Sequence, residues 1–491
     1  MPVRSSYGEQ SASLVWFRND LRLEDNPALV AAAESGEPVI PVFVWSPQEE
    51  SPWAPGAASR WWLHQSLTRL DQALRHKGVR LVVRRGPALA ALQSLVAETG
   101  ASAVFWNRRY EPLVRRRDTE LEAALRADGI EVRTFNASLL FEPWTVRTKA
   151  EKPFQVFAPF WKACLASTAP APPLAAPGRL RGPRRWPKSV GLEALELEPR
   201  ADWASGLRET WHPGESGARE QLERFVDEAL LHYPAGRDRP AMALTSRLSP
   251  HLRFGEIGPR QVWQAVNARA CAERLPGLLR GAEVYLRELG WREFAYHLLF
   301  HFPHTPELPL RSEFERFPWD DDERSLRAWQ RGRTGYPMID AGMRELWATG
   351  WMHNRVRMLV ASFLAKDLLL SWRSGAEWFW DTLADADLAN NTLGWQWTAG
   401  CGADAAPYFR VFNPISQGEK FDAAGDYVRR WVPELARLPA AWIHKPWQAP
   451  ASVLIDAGVA IGRTYPAPII DHAAARRRAL AALASIKKGS R

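Results

Sequence analysis

Cysteine is scarce: Cys164, Cys271 and Cys401 are the only three in 491 residues, and no CxxC occurs. That excludes a disulfide framework, makes a Cys-based zinc or iron–sulfur site untenable, and reads as a reducing compartment. No apolar run approaches the ~18 residues of a membrane helix. The N-terminal MPVRSSYGEQSAS has no apolar core of a secretory signal. No GxGxxG follows the first strand signal and no GxxxxGK[ST] occurs, so the dinucleotide fingerprint and the P-loop are both missing. GxSxG is absent too, and no Ser-His-Asp or Cys-His set is legible, so nucleophilic hydrolysis has little support. Tryptophan, by contrast, is abundant at 25 residues. Core packing is one reason for such an excess; stacking on flat ligands or bases is another. Lys+Arg number 64 against 55 Asp+Glu, a net charge of +9. That suits a polyanionic partner, and equally a soluble Arg-rich protein.

The first part of the chain alternates strand and helix signals. Strands are predicted at Ser13–Phe17, Pro38–Trp45, Arg80–Arg84, Ala103–Trp106 and Glu131–Phe135, with helices at Ala57–His76, Pro87–Glu98 and Leu113–Ala127. This alternation predicts an α/β, doubly wound parallel sheet over residues 11–140. The stretch 141–208 reads as a connector, because STAPAPPLAAPGRLRGPRRWP within it lacks apolar periodicity. Residues 209–475 are predicted to be all-α. Apolar residues recur every three or four positions in Ala218–Leu231, Gly281–Phe300, Ser325–Gln330, Pro337–Thr349, Arg355–Ser371 and Ala376–Leu383. Residues 476–491 read as a short basic tail.

Chemistry-bearing residues concentrate in the helical half. Thr245, Ser246 and Ser249 surround Arg247, a pattern suited to a phosphate-binding turn or to a plain helix N-cap. Glu288 and Arg292 share a helix face beside Trp291, and Asn354, Arg357 and Met358 share another. Asp385 and Asp387 are two apart with no histidine to complete a set, which argues against a metal. His297, His301 and His304 lack a matching glutamate and read as packing or surface residues.

Four stretches resemble the photolyase/cryptochrome flavoproteins: WFRNDLRLEDNPAL (Trp16–Leu29), TSRLSPHLRFGEI (Thr245–Ile257), ELGWREF (Glu288–Phe294) and the run from TGWMHNRVRM to NPISQGEKFD (Thr349–Asp422). The resemblance runs from Leu14 to about Pro468. It implies an antenna domain followed by a helical domain holding FAD, and light-driven electron transfer from reduced flavin to a cyclobutane pyrimidine dimer flipped out of DNA. The expected enzyme is a deoxyribodipyrimidine photo-lyase. By the same resemblance, Tyr233, Thr245, Ser246, Arg247, Leu248 and Ser249 hold the FAD phosphates and ribityl chain. Asp385 and Asp387 contact the isoalloxazine and adenine side, Arg357 pairs with the first of them, and Asn391 faces flavin N5. Glu288 hydrogen-bonds the dimer, Trp291 and Trp397 wall its pocket, and Asn354 and Met358 line it. Arg237, Arg292, Arg355, Arg410 and Gln417 match DNA contacts. Trp395, Trp372 and Trp319 match a tryptophan wire that reduces the flavin.

Three branches compete: dimer repair, (6-4) photoproduct repair, and light sensing without repair. Enzymes for (6-4) lesions resemble this chain but carry His where Asn354 and Met358 stand, and plant-type cryptochromes carry Asp at the Asn391 position. Dimer repair is therefore expected, with a look of the bacterial class III branch in RELGWREFAYHLLFHFP. The usual Asn-Glu pair for methenyltetrahydrofolate is missing after Tyr110-Glu111, where Pro112-Leu-Val-Arg115 follows. Methenyltetrahydrofolate held by other contacts is the favoured antenna, a deazaflavin the alternative, and Trp61 and Trp62 near His64 are candidate walls. A monomer in the bacterial cytoplasm, with UV-damaged DNA carrying a thymine dimer as its partner, is expected.

Overall fold

The computed structural model describes residues 11–273, 275–405 and 409–488; the last three residues of the basic tail lie outside it. Five strands form one sheet: β1 (Ser13–Phe17), β2 (Val39–Trp45), β3 (Val82–Arg85), β4 (Ala103–Asn107) and β5 (Glu131–Phe135). Their order is β3-β2-β1-β4-β5 and every pairing is parallel. Parallel strands need helical crossovers, which bury both faces of the sheet. The strand sequences comply: β1, β2 and β4 are buried at every position. The crossovers include α1 (Pro27–Glu34), α2 (Ala57–His76), α3 (Ala88–Thr99) and α4 (Pro112–Ala127). Asn26 opens α1, its side chain accepting from the Leu29 N–H at 3.1 Å. The strand order reverses between β1 and β4, the usual place for a ligand in such a sheet.

Three expectations need correction. The stretch 141–208 is not a simple connector. Its helix α5 (Phe157–Ala166) buries Phe157, Phe160, Trp161 and Cys164 against Phe294 and Leu298 of the helical domain. Beyond it the chain returns to the sheet. The Leu180 N–H donates to the Lys77 carbonyl at 2.8 Å and the Val190 N–H to Val83 at 3.1 Å. Leu180, Leu195 and Leu197 join the sheet-side core. The composition of this segment hid its apolar anchors among Pro and Arg. Second, residues from 476 onward are not a loose tail. The helix His472–Lys488 buries Ala475, Ala479, Ala482 and Ile486 on the main core, spacings of four, three and four that put them on one face. Third, two predicted helices are interrupted by π-turns, at Phe225–Ala229 and Phe363–Asp367. One extra residue per turn re-aims the side chains that follow, which simple periodicity does not register.

The helical domain is organised around the 26-residue helix Pro276–His301. A proline at its first turn suits its start. The helix Leu388–Ala399 lies against it, and the helices Asn354–Ser362 and Trp372–Thr382 pack in turn on Leu388–Ala399. The two domains meet through the turn after the Ser249–Arg253 helix. Gly255 sits there at φ +63°, and a Cβ would fall 2.2 Å from the Asn19 carbonyl oxygen. Only glycine fits that approach. Beside it, buried Glu256 accepts from Trp62 Nε1 at 2.9 Å and Ser66 Oγ at 2.6 Å, both on α2, and contacts His251 Nδ1 at 2.5 Å.

Candidate functional site

The Asn354–Ser362 helix presents Arg357, whose guanidinium meets Asp385 at 2.7 Å and whose Nε donates to the Met352 carbonyl at 2.7 Å. Asp387 begins the Leu388–Ala399 helix, accepting from the Asn390 N–H at 2.9 Å, and receives the Tyr296 hydroxyl of the long helix. One turn on, the Asn391 amide donates to the Ala376 carbonyl at 3.0 Å. Another turn on lies Trp395, with the Phe379 ring at 5.0 Å and the Trp329 ring at 6.2 Å. Gly375 lets the neighbouring helix press directly on Trp395, since a Cβ there would fall 2.1 Å from the indole. Trp372 is buried at the start of that helix. Trp319 packs 4.4 Å from Phe317, and the next residue, Asp320, donates its N–H to the Leu369 carbonyl at 2.7 Å, close along the chain to Trp372.

The turn around Arg247 is not an ordinary cap. The cap position of the Ser249–Arg253 helix is Leu248, and no side chain caps it. Ser246 instead bonds locally, its Oγ accepting from the Leu248 N–H at 3.4 Å, and Ser249 bonds at long range, its Oγ accepting from Trp351 Nε1 at 3.2 Å. Arg247 adopts φ +50°, with its cation 4.5 Å from the Trp211 ring and 4.8 Å from Trp351. A non-glycine residue held there is a strained arrangement of the kind found at ligand sites. Thr245 is half-buried beside it. Tyr233 is buried with its ring edge-on to Tyr285 at 5.3 Å.

Two ion pairs of opposite polarity link this turn region to the flanking helices. Arg237 meets Glu288 at 2.5 Å and Asp238 meets Arg355 at 2.8 Å. Trp291 lies three residues beyond Glu288 and stacks on Phe157 of α5, ring centroids 3.8 Å apart and planes within 10°. Asn354 and Arg410 are exposed; Met358, Trp397 and Gln417 are half-buried. Arg292 departs from its expected role as a DNA contact. Its guanidinium turns inward, donating to the Ser138 carbonyl at 2.7 Å and meeting Glu293 at 3.3 Å. Glu293 itself is fully enclosed and accepts from the Leu140 and Phe141 N–H groups at 2.8 and 3.1 Å. Burial pushes its carboxyl up to about 7, against the opposing pull of Arg292.

Several polar atoms of these segments are buried without a partner: Arg247 Nε, His353 Nε2, Asp385 Oδ1 and Trp395 Nε1. Such orphans are costly unless something pairs with them. His353 is informative. Burial lowers its imidazole to about 4, so it is neutral near pH 7. Its Nδ1 accepts from the Arg355 N–H at 3.2 Å, which leaves a proton on Nε2. Unpaired donors, an unpaired carboxylate oxygen and a hydroxyl-rich cationic turn fit a ligand with phosphates, hydroxyls and a heteroaromatic ring. FAD has that chemistry. Sequence reasoning gave His353 no role although it lies inside the quoted MHNR motif. Its position immediately before the helix of Asn354 and Arg357 was the available signal.

Two openings bear on an antenna. The cavity at the carboxyl ends of β1 and β2 is only about 40 Å³ and includes Arg18, Trp45 and Arg109 in its lining. A cleft between the domains is larger, about 420 Å³, and includes Trp53, Trp380, His304 and Glu307. Trp61 and Trp62, the walls considered from sequence, are instead fully buried, and Trp62 packs on Phe254 and Trp211. His297 and His301 are packing residues, bonded to the Phe154 N–H and the Pro143 carbonyl at 3.0 Å each. Among the described residues no group of side chains could hold a metal ion, and no helix is long and apolar enough to cross a membrane.

Comparison with known proteins agrees with this geometry. Residues 13–178 match the family model "DNA photolyase" and residues 285–485 match "FAD binding domain of DNA photolyase". The chain is 52% identical to the deoxyribodipyrimidine photo-lyase of Agrobacterium fabrum, over 97% of this chain and 98% of that protein. It is 45% identical to cryptochrome-1 of Arabidopsis thaliana, over 99% of this chain and 72% of that one. The crystal structure of a bacterial class III photolyase from Agrobacterium tumefaciens superposes with a TM-score of 0.94 at 50% identity, covering 99% of this chain and 100% of that one. The chain belongs to the photolyase/cryptochrome family, with a parallel-sheet N-terminal domain and a helical FAD-binding domain.

Proposed function

We propose that this protein repairs cyclobutane pyrimidine dimers in DNA under blue light, as a deoxyribodipyrimidine photo-lyase. The observation that carries the proposal is the pairing of Glu288 with Trp291 on one stretch of the long helix, beside the ring of residues suited to FAD. Reduced FAD, when bound there, would lend the dimer a light-excited electron and take it back once the ring has split, leaving no net change in oxidation state. The protein's own task is to bring a base that the duplex buries within reach, which requires flipping it out of the stack. Trp291 and Trp397 offer aromatic surface to the flipped bases. Glu288 accepts hydrogen bonds from their polar edges once it releases Arg237. Arg237, Arg355, Arg410 and Gln417 then serve the DNA backbone. Arg357 and Asp385 hold the flavin ring system, and the Arg247 turn holds its phosphates. Trp395, Trp372 and Trp319 form the route for reducing the flavin.

Asn391, Asn354 and Met358 favour this branch over its neighbours, since none of them offers the carboxyl or imidazole proton that the sensing and (6-4) branches use. For the antenna, the 420 Å³ cleft between the domains, with Trp53 and Trp380 in its lining, is the place we propose for methenyltetrahydrofolate, with a deazaflavin the alternative. The test uses reduced, FAD-loaded protein and an oligonucleotide carrying one thymine dimer. Light-dependent recovery of thymine absorbance is the expected result, and Glu288→Ala should lower its yield with FAD retained. No recovery with reduced FAD in place would remove repair and leave blue-light sensing, the reading favoured by the likeness to cryptochrome-1.

A further inference from the structure

Lys366 is the one lysine buried among the described residues, 3% exposed. It lies in the π-turn Phe363–Asp367 that ends the helix bearing Asn354, Arg355 and Met358. No carboxylate neutralises it directly. The side chain of adjacent Asp367 turns instead to His472 Nδ1 of the last helix, at 2.5 Å. The Lys366 ammonium donates to the Arg410 carbonyl at 2.6 Å and lies 4.4 Å from the Phe409 ring centroid. A second tether stands beside it, where the Phe412 N–H donates to buried Ser362 Oγ at 3.3 Å. A cation kept from water with one carbonyl acceptor and one aromatic face is an expensive way to fill space. Burial pushes this ammonium down to about 7, in the direction that such a cost implies. A methionine would pack there without it.

We infer that Lys366 is a positioning residue for DNA binding: it fixes the backbone of residues 409–412 so that exposed Arg410 meets a phosphate in register with the lesion pocket. The π-turn is what allows this. By inserting an extra residue it swings Lys366 off the line of the helix and onto the neighbouring segment. One end of this helix therefore lines the lesion pocket through Asn354 and Met358, and the other end holds a backbone contact. The inference rests on the DNA-repair reading above.

The test measures binding of FAD-loaded full-length protein to a duplex with one thymine dimer, together with thermal stability and flavin content. Lys366→Met should weaken binding roughly tenfold, the scale of one lost charge-assisted hydrogen bond. The melting temperature should stay the same or rise, and FAD should be retained. In an Arg410→Ala background the same change should cost nothing further, because Lys366 acts through that residue. Unchanged affinity in Lys366→Met overturns the inference. So do losses that add across the two sites, or a loss that only tracks falling stability and flavin content. Ser362→Ala removes the second tether and should weaken binding in the same direction, so the inference stays testable if Lys366→Met does not fold. Wild-type protein that fails to prefer the damaged duplex would instead strike the functional reading itself.

Discussion

The two ends of this molecule where ligands are expected handle charge in opposite ways. At the carboxyl end of the sheet, arginines are matched by acids: Arg18 with Asp118, and Arg109 with both Glu50 at 2.6 Å and Glu111 at 2.7 Å. Arg109 in turn holds Glu111, despite its burial, down at about 2. Little space remains there. In the helical domain the corresponding groups are matched only in part. Asp385 keeps one oxygen unpaired and His353 one N–H. The sheet end has orphans too, Arg18 Nε and Trp16 Nε1, but none of its carboxylate oxygens is among them; an unpaired carboxylate oxygen beside a neutral histidine is what marks the half-built ligand site where composition does not.

The largest expected effect would test the half-built end. Asp385→Ala removes the partner of Arg357 and leaves a largely enclosed guanidinium uncompensated. A penalty of about 3 kcal/mol, more than a hundredfold in FAD affinity, is expected. Flavin content by absorbance checks it, and a variant that purifies with full FAD would break the comparison. A smaller effect tests which arginines face outward. Arg355→Ala should weaken damaged-duplex binding and flatten the dependence of log affinity on log salt by about one phosphate contact. Arg292→Ala should leave that slope intact, because its guanidinium holds the Ser138 carbonyl. Equal slopes for the two variants would return Arg292 to the DNA face. The smallest effect is on stability against pH. Glu293 is raised to about 7 from an unfolded value near ~4.3. Between those values the folded state binds more protons than the unfolded one, so its contribution to stability falls as pH rises through that window. Glu293→Gln keeps the acceptor for Leu140 and Phe141 but cannot ionise. Its melting temperature should therefore vary less than that of wild type between pH 5 and 7.5, which thermal melts would register.

Much of this was legible in the sequence. All five strands fell within two residues of their predicted ends; for β1, β2 and β4 the reason is that buried parallel strands are short apolar runs bounded by polar turns. The Arg357–Asp385 pair was also anticipated, since a motif fixes which residues meet. What was not legible depends on three-dimensional routing. The direction of Arg292 follows from where Ser138 arrives, not from its place on the helix. The π-turns at 225–229 and 363–367 keep apolar spacing nearly helical while changing what comes next. The apolar anchors of the segment 141–208 are too sparse to stand out between prolines and arginines.

That last segment has a practical consequence. The polypeptide crosses between the two domains more than once: α5 belongs with Phe294 and Leu298, and residues 180–197 belong with the sheet. The stacking partner of Trp291 is thus supplied from between two stretches of the other domain. A chimera that exchanges only residues 11–140 with a relative would import a sheet whose flank expects a different strap. A graft that respects the architecture must carry two separate pieces of chain, leaving 157–166 at home.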